Sequence, residues 1–390
     1  MEARIEAVPL DDEAWDRFAK RTGGAAAACF QCGVCTATCP WGLVRETPPS
    51  VRHLIRAAQL GRPNANEAAW LCTACGECEQ ACPRQVPIAE VFRGLRGLLW
   101  ERREVPEGLP SVLWSMHWNR NPWSQPPSQR MRWAEGLDLP PFDPQAHEIV
   151  LYIGCTASYE PRAQKVARAV IRLLRAANVA FGVLGETEPC CGEAALSLGH
   201  RAYFEDISRT TAATLAERGV RRLVTISPHA FDVFRHHYPP GVLETTHYVA
   251  YLATLAQEGR LPLERALPKR ITYHDPCLLG RKDQSYDAPR SLLEAIPELS
   301  LVEMEHHREN ALCCGGGGGR MWMETPRGER FADVRIQEAL ATDSDFVVTA
   351  CPFCIVMLED SLRGMADQRM KVVDLGELLT LAIPDEAILA

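Results

Sequence analysis

A chain of 390 residues exceeds the usual single domain, and 46% apolar against 24% charged residues is ordinary for a folded protein with two or three cores. The net charge of −8 lies wholly beyond residue 105: 13 Lys/Arg balance 13 Asp/Glu before it, and 29 face 37 after it. No basic stripe, no apolar run near the ~18 residues of a spanning helix and no signal-like start (Met1-Glu2-Ala3-Arg4-Ile5-Glu6) argue against nucleic-acid binding, a direct membrane span and export.

Residues 1–24 read as a short helical arm, with Trp15 and Phe18 as its apolar contacts before Gly23-Gly24. Cys29-Phe-Gln-Cys32-Gly-Val-Cys35-Thr-Ala-Thr-Cys39-Pro40 follows. Thirty-three positions after Cys39 the pattern recurs as Cys72-Thr-Ala-Cys75-Gly-Glu-Cys78-Glu-Gln-Ala-Cys82-Pro83. Both are C-x₂-C-x₂-C-x₃-C-P, the spacing of a bacterial two-cluster ferredoxin, in which the cysteine before proline serves the other cluster. This assigns Cys29, Cys32, Cys35 and Cys82 to one [4Fe–4S] cubane and Cys72, Cys75, Cys78 and Cys39 to a second. Between and after the motifs, 50–61 reads as a helix capped by Ser50, and 87–103 repeats the apolar period. An all-α two-cluster module over 1–103 is expected.

Residues 104–148 read as a Pro-rich connector whose Trp114, Trp118, Trp123 and Trp133 are expected to be buried against the flanking domains, in preference to the alternative of an exposed docking belt. From 149 the pattern becomes α/β. Strands are expected at 149–153, 179–184 and 223–226, with a helix over 161–177 and helical stretches to 218. The second half repeats the plan: strands at 270–273, 299–303 and 346–349, and helices at 289–296 and 326–341. In this register Cys155 matches Cys277, Cys190-Cys191 matches Cys313-Cys314, and Ser227-Pro-His-Ala230 matches Cys351-Pro-Phe-Cys354. An internal duplication follows, with repeats at 149–268 and 269–390 related by a pseudo-twofold.

The second repeat carries five thiols: Cys277, then 35 residues, Cys313-Cys314 followed by Gly315 to Gly319, and Cys351-Pro-Phe-Cys354. Zinc takes four ligands, so five cysteines suit a multi-iron cluster better. Glycines at 315 and 316 are expected to let the backbone approach such a cluster closely. The first repeat keeps only Cys155, Cys190 and Cys191. Two readings stay open there: an emptied site, or a further [4Fe–4S] cubane completed by a group such as His229. The doublets His236-His237 and His306-His307 read as solvated. His274, at a strand end three residues before Cys277, is a candidate proton donor to a departing thiolate or a structural hydrogen-bonding group.

The five-cysteine spacing resembles the cysteine-rich CCG domain of the heterodisulfide reductase family. With the two-cubane module and the connector phrase Asn119-Arg-Asn-Pro-Trp-Ser124, the chain is similar to the fused C–B arrangement of the D-type subunit and to the K subunit of dissimilatory sulfite reductase-linked membrane complexes. The resemblance implies an α+β multidomain oxidoreductase subunit acting on sulfur groups. Its two cubanes would relay electrons to a non-cubane [4Fe–4S] cluster held by Cys277, Cys313, Cys314, Cys351 and Cys354, where a small disulfide or thiol reacts. It implies redox partner subunits (a membrane b-haem protein, a flavoprotein or a flavin-bifurcating subunit) and a cytoplasmic place, held to the inner membrane face through a partner. The same module order also fits an iron–sulfur electron-transfer subunit of a flavin-dependent lactate, glycolate or glycerol-3-phosphate dehydrogenase, or of a quinone- or acyl-CoA-linked complex.

Overall fold

The structure, a computed structural model, describes residues 10–62, 67–241, 243–365 and 369–384. The first nine residues of the expected arm and the last six of the second repeat lie outside them. The arm begins as the helix Asp12–Thr22, capped by the Asp11 side chain, and it buries Phe18 against the helix Ile88–Arg102. The helix Val51–Gln59 starts where expected, because the Ser50 hydroxyl accepts from the His53 N–H at 3.2 Å.

The connector holds more structure than its prolines suggest. Gly108 and Pro110 open a helix, Leu109–Trp118, that buries Leu109, Val112, Ser115 and Met116. Trp114 and Trp118, four apart on that helix, are therefore turned outward, 62% and 69% exposed, contrary to the burial expected for all four tryptophans. Trp133 is buried and Trp123 partly so. The helix ends in a tight corner at Asn121, whose amide donates to the Asn119 and Gln125 carbonyls at 2.8 Å and accepts from the Trp123 N–H at 2.9 Å. This corner sets Trp123 against Trp322 and the second repeat.

Each repeat is a four-stranded parallel sheet. β1 (Ile149–Tyr152), β2 (Phe181–Gly182), β3 (Arg222–Thr225) and β4 (Glu244–His247) lie in the order β2-β1-β3-β4. β5 (Arg270–Tyr273), β6 (Ser300–Leu301), β7 (Phe346–Thr349) and β8 (Lys371–Asp374) lie in the order β6-β5-β7-β8. The second strand of each repeat pairs over only two residues, shorter than the apolar runs at 179–184 and 299–303 suggest. The helix expected from 326 begins only at Phe331, because Gly328 adopts φ +87° and turns the chain first.

Parallel strands buried on both faces need cover on each side. β1 shows how this is met: Ile149 and Leu151 join a core shared by the two repeats, while Val150 and Tyr152 join a core shared with the cysteine module. The repeats also exchange helices. Pro161–Ala176 of the first packs on Leu375–Ala382 of the second, and Asp287–Glu294 of the second packs on Tyr248–Gln257 of the first. His229 and Phe353, at matching places in the two repeats, pack on each other at a tilt of 40° with ring centroids 4.2 Å apart.

Candidate metal centres

All sixteen cysteines are free thiols, and the fold gathers them in four groups. Cys29, Cys32, Cys35 and Cys82 line one hollow of about 340 Å³, with Phe30, Arg52 and Ile88. Cys39, Cys72, Cys75 and Cys78 line another of about 520 Å³, beneath Trp41 and Phe331. Cys39 has thus crossed from the first motif to the second triplet, and Cys82 to the first. The two walls differ in setting. Cys32 is exposed and Phe30 is 58% exposed, whereas Cys75 is buried. Burial pushes the Cys39 thiol up to about 12, against a hydrogen bond from the Trp41 backbone; four converging, desolvated sulfurs favour a cation that takes up their charge.

The second-motif hollow is clamped onto the second repeat. Arg96, fully buried, donates to the carbonyls of Ala69 at 3.0 Å, Cys72 at 2.5 Å, Ser197 at 2.6 Å and Gly318 at 2.8 Å. One guanidinium thereby joins the cysteine module and both repeats. Burial lowers its pKa to about 10, so it is charged at neutral pH. Arg281, just after Cys277, donates to the carbonyls of Cys75 at 3.3 Å and of Ala311, and Lys282 pairs with Glu79 at 2.5 Å. The Trp41 indole donates to the Leu71 carbonyl at 2.8 Å.

The five-cysteine site forms where strands end, the usual place for ligands in parallel sheets. β5 leads to His274 and Cys277, and β7 leads to Cys351 and the helix Pro352–Arg363 that carries Cys354. The sulfur of Cys313 is within hydrogen-bonding reach of Cys277, Cys314 and Cys75, and Cys354 reaches both Cys314 and Cys351. All but Cys277 are buried. Hydrogen bonds from Cys313 and Cys354 hold the Cys314 thiol well below its usual range. Burial raises Cys351, yet bonds from Cys354 and His229 outweigh it and bring it to about 6.

The glycine run meets two surfaces, the Cys313 sulfur at its start and the second ferredoxin motif further on. Gly315 adopts φ +85° and its N–H donates to the Cys313 sulfur at 3.2 Å, but Gly316 faces Met357. A Cβ on Gly317 would stand 2.4 Å from the Thr73 carbonyl oxygen, and one on Gly318 2.3 Å from that of Cys72. The loop lacks side chains so that it can lie on the second ferredoxin motif.

In the first repeat Cys155 lies within hydrogen-bonding reach of Cys190, and Cys190 of Cys191. His229 is not beside them. Its Nδ1 is 3.3 Å from Glu193, it reaches Cys351, and it lies on Phe353, so the reading of His229 as a fourth ligand to this trio fails. Arg130 stands there instead: Nη1 is 3.7 Å from the Cys155 sulfur and Nη2 donates to Glu188 at 2.6 Å, all buried. Burial opposes the guanidinium's charge, but Cys155 and Glu188 more than offset this. The second histidine doublet is partly solvated, with polar partners: His306, whose side chain is 43% exposed, bonds Glu338, and His307 lies 2.8 Å from the Met304 carbonyl. Arg96 and Arg130 carry no sequence signal, since each acts on residues far along the chain.

The cysteine-rich domain CCG matches residues 149–231 and 271–359, and the 4Fe-4S dicluster domain matches residues 25–86. The D-type polypeptide of the dihydromethanophenazine:CoB--CoM heterodisulfide reductase of Methanosarcina mazei is 31% identical over 328 residues, 80% of this chain and 77% of that protein. The chain belongs to the D-type heterodisulfide reductase family. The chain is also similar to other iron–sulfur oxidoreductases. The "Probable iron-sulfur-binding oxidoreductase FadF" of Bacillus subtilis is 32% identical over 336 residues, and the "EtfAB:quinone oxidoreductase" of Syntrophomonas wolfei 33% over 335. Those alignments take in 83% and 82% of this chain but 48% and 47% of the relatives, so the chain spans about half their length. Among the described residues no helix is long and apolar enough to cross a membrane.

Proposed function

We propose that this chain is an iron–sulfur oxidoreductase subunit that brings electrons inward from its surface to a sulfur-reactive centre. Cys29, Cys32, Cys35 and Cys82 hold one [4Fe–4S] cubane, and Cys39, Cys72, Cys75 and Cys78 a second. Cys277, Cys313, Cys314, Cys351 and Cys354 hold a non-cubane [4Fe–4S] cluster. The units run over 1–103, 104–148, 149–268 and 269–390, the last two related by a pseudo-twofold near the His229–Phe353 contact. When bound, these clusters supply one-electron carriage at the two four-cysteine hollows and an iron open to a substrate sulfur at the five-cysteine site.

The observation that carries this reading is the contact of Cys75 with Cys313, which joins the second hollow to the five-cysteine site across two domains. The exposed Cys32 and Phe30 put the first hollow at the surface, where a redox partner docks. The partner is a membrane b-haem protein, a flavoprotein or a flavin-bifurcating subunit, and it holds the chain at the inner membrane face. Five converging sulfurs, four of them buried, favour a cation that takes up their charge, the Gly315 N–H steadies the Cys313 sulfur, and Trp123 and Trp322 exclude water. The first repeat is metal-free, with the Arg130 guanidinium beside Cys155 supplying the positive charge an ion would bring.

The names of the Bacillus and Syntrophomonas relatives favour a second reading, electron transfer without thiol chemistry. Anaerobically reduced protein given 2-hydroxyethyl disulfide separates the two. Reoxidation of all its clusters, with release of 2-mercaptoethanol, is the expected result. Reoxidation by a soluble quinone but never by a disulfide leaves only the second reading.

A further inference from the structure

His274 and Arg335 are both buried, and they meet at the floor of the five-cysteine site. Arg335 Nε donates to His274 Nδ1 at 3.0 Å. A guanidinium can only donate, so Nδ1 must offer its lone pair, and the ring proton of the neutral imidazole must sit on Nε2. Nε2 has no partner but sulfur: a ring nitrogen of His274 and the sulfurs of Cys314 and Cys354 lie within 4.8 Å of one another, and Cys314 is within hydrogen-bonding reach of the ring. Since Arg335 occupies Nδ1, the nitrogen facing the sulfurs is Nε2. Arg335 is itself held, with Nη1 donating at 2.6 Å to both the Glu338 carboxylate and the His306 carbonyl.

We infer that Arg335 is a positioning residue that fixes the Nε2–H tautomer of His274 and so aims a permanent N–H donor at the sulfurs around Cys314, making His274 a tuning group and not a metal ligand. The inference rests on the proposed cluster at these cysteines. An imidazole whose Nδ1 already accepts from Arg335 would have to lose its Nε2 proton to bind iron. An N–H pointed at sulfur stabilises added electron density there, so the pair makes the centre easier to reduce.

The test is the reduction potential of the five-cysteine centre, followed by paramagnetic resonance in anaerobic holoprotein, with the two cubanes as internal references. His274→Phe should keep the iron and lower the reduction equilibrium constant about tenfold, 59 mV for one electron. Arg335→Met should move it the same way, the double variant should move it no further than His274→Phe alone, and Arg335→Lys, which keeps a buried donor, should restore part of the shift. The potentials of both cubanes should stay put. Loss of iron from this centre in His274→Phe would make His274 a ligand and overturn the inference. An unchanged potential in His274→Phe, or an additive double variant, would overturn it too. A wild-type protein with no such centre would instead fail the proposed function itself.

Discussion

Cys314→Ala is expected to reduce disulfide turnover to background while both N-terminal cubanes still take up electrons from a chemical reductant. The reason is local. Cys314 sits between Cys313 and Cys354 and faces His274, so its loss opens the centre of the five-sulfur set. The two four-cysteine hollows share no sulfur with that set, and each keeps its own ligands. Absorbance and paramagnetic resonance of the reduced variant, beside a disulfide assay, separate the two effects. A variant with full turnover would remove the five-cysteine site from the chemistry, and one that lost the cubanes as well would show that the clusters assemble as one unit.

Arg96→Met is expected to be the most damaging change outside the cysteines. The substitution keeps much of the volume but abandons four carbonyl acceptors, on Ala69, Cys72, Ser197 and Gly318, in a place water does not reach. Orphaned buried carbonyls cost about 1–3 kcal/mol each where they cannot relax, and several of the four lose their donor together. A loss of about 3–5 kcal/mol is therefore expected in thermal or urea unfolding of the anaerobic holoprotein. Because two of the carbonyls flank the Cys75–Cys313 contact in sequence, electron flow into the five-cysteine site should fall as well. Arg21→Ala provides the contrast. Its ion pair with Glu101 is largely solvated, and its loss should cost under about 1 kcal/mol.

The parts of this protein that are legible in its sequence are those specified over short stretches. Two C-x₂-C-x₂-C-x₃-C-P runs, the Cys313-Cys314 pair and Cys351-x-x-Cys354 announce their own grouping, and Ser50 announces a helix start. Alternation of strand and helix with cysteines at strand ends announces two α/β repeats. What stays hidden depends on residues far away. Arg96 reads as one more basic residue of an amphipathic helix until Ser197 and Gly318 close around it. Arg130 gains its meaning only beside Cys155 and Glu188, and Arg335 only beside His274. Sequence register points His229 at the cysteines of its own repeat, but the packing of one repeat on the other carries it to Cys351. The glycines after Cys314 suggest cluster approach because they adjoin cysteines; their tight contact with Cys72 and Thr73 is a matter of domain packing.

The central claim, a sulfur-reactive iron centre at Cys277, Cys313, Cys314, Cys351 and Cys354 supplied by two cubanes, is tested most directly by paramagnetic resonance of the oxidised, anaerobically prepared protein titrated with a small thiol such as 2-mercaptoethanol. The account predicts a new signal that saturates with thiol, is absent from Cys314→Ala and leaves the cubane signals unchanged when the sample is then reduced. Zinc in place of iron at these five cysteines, or an iron centre there that no thiol perturbs, would contradict it.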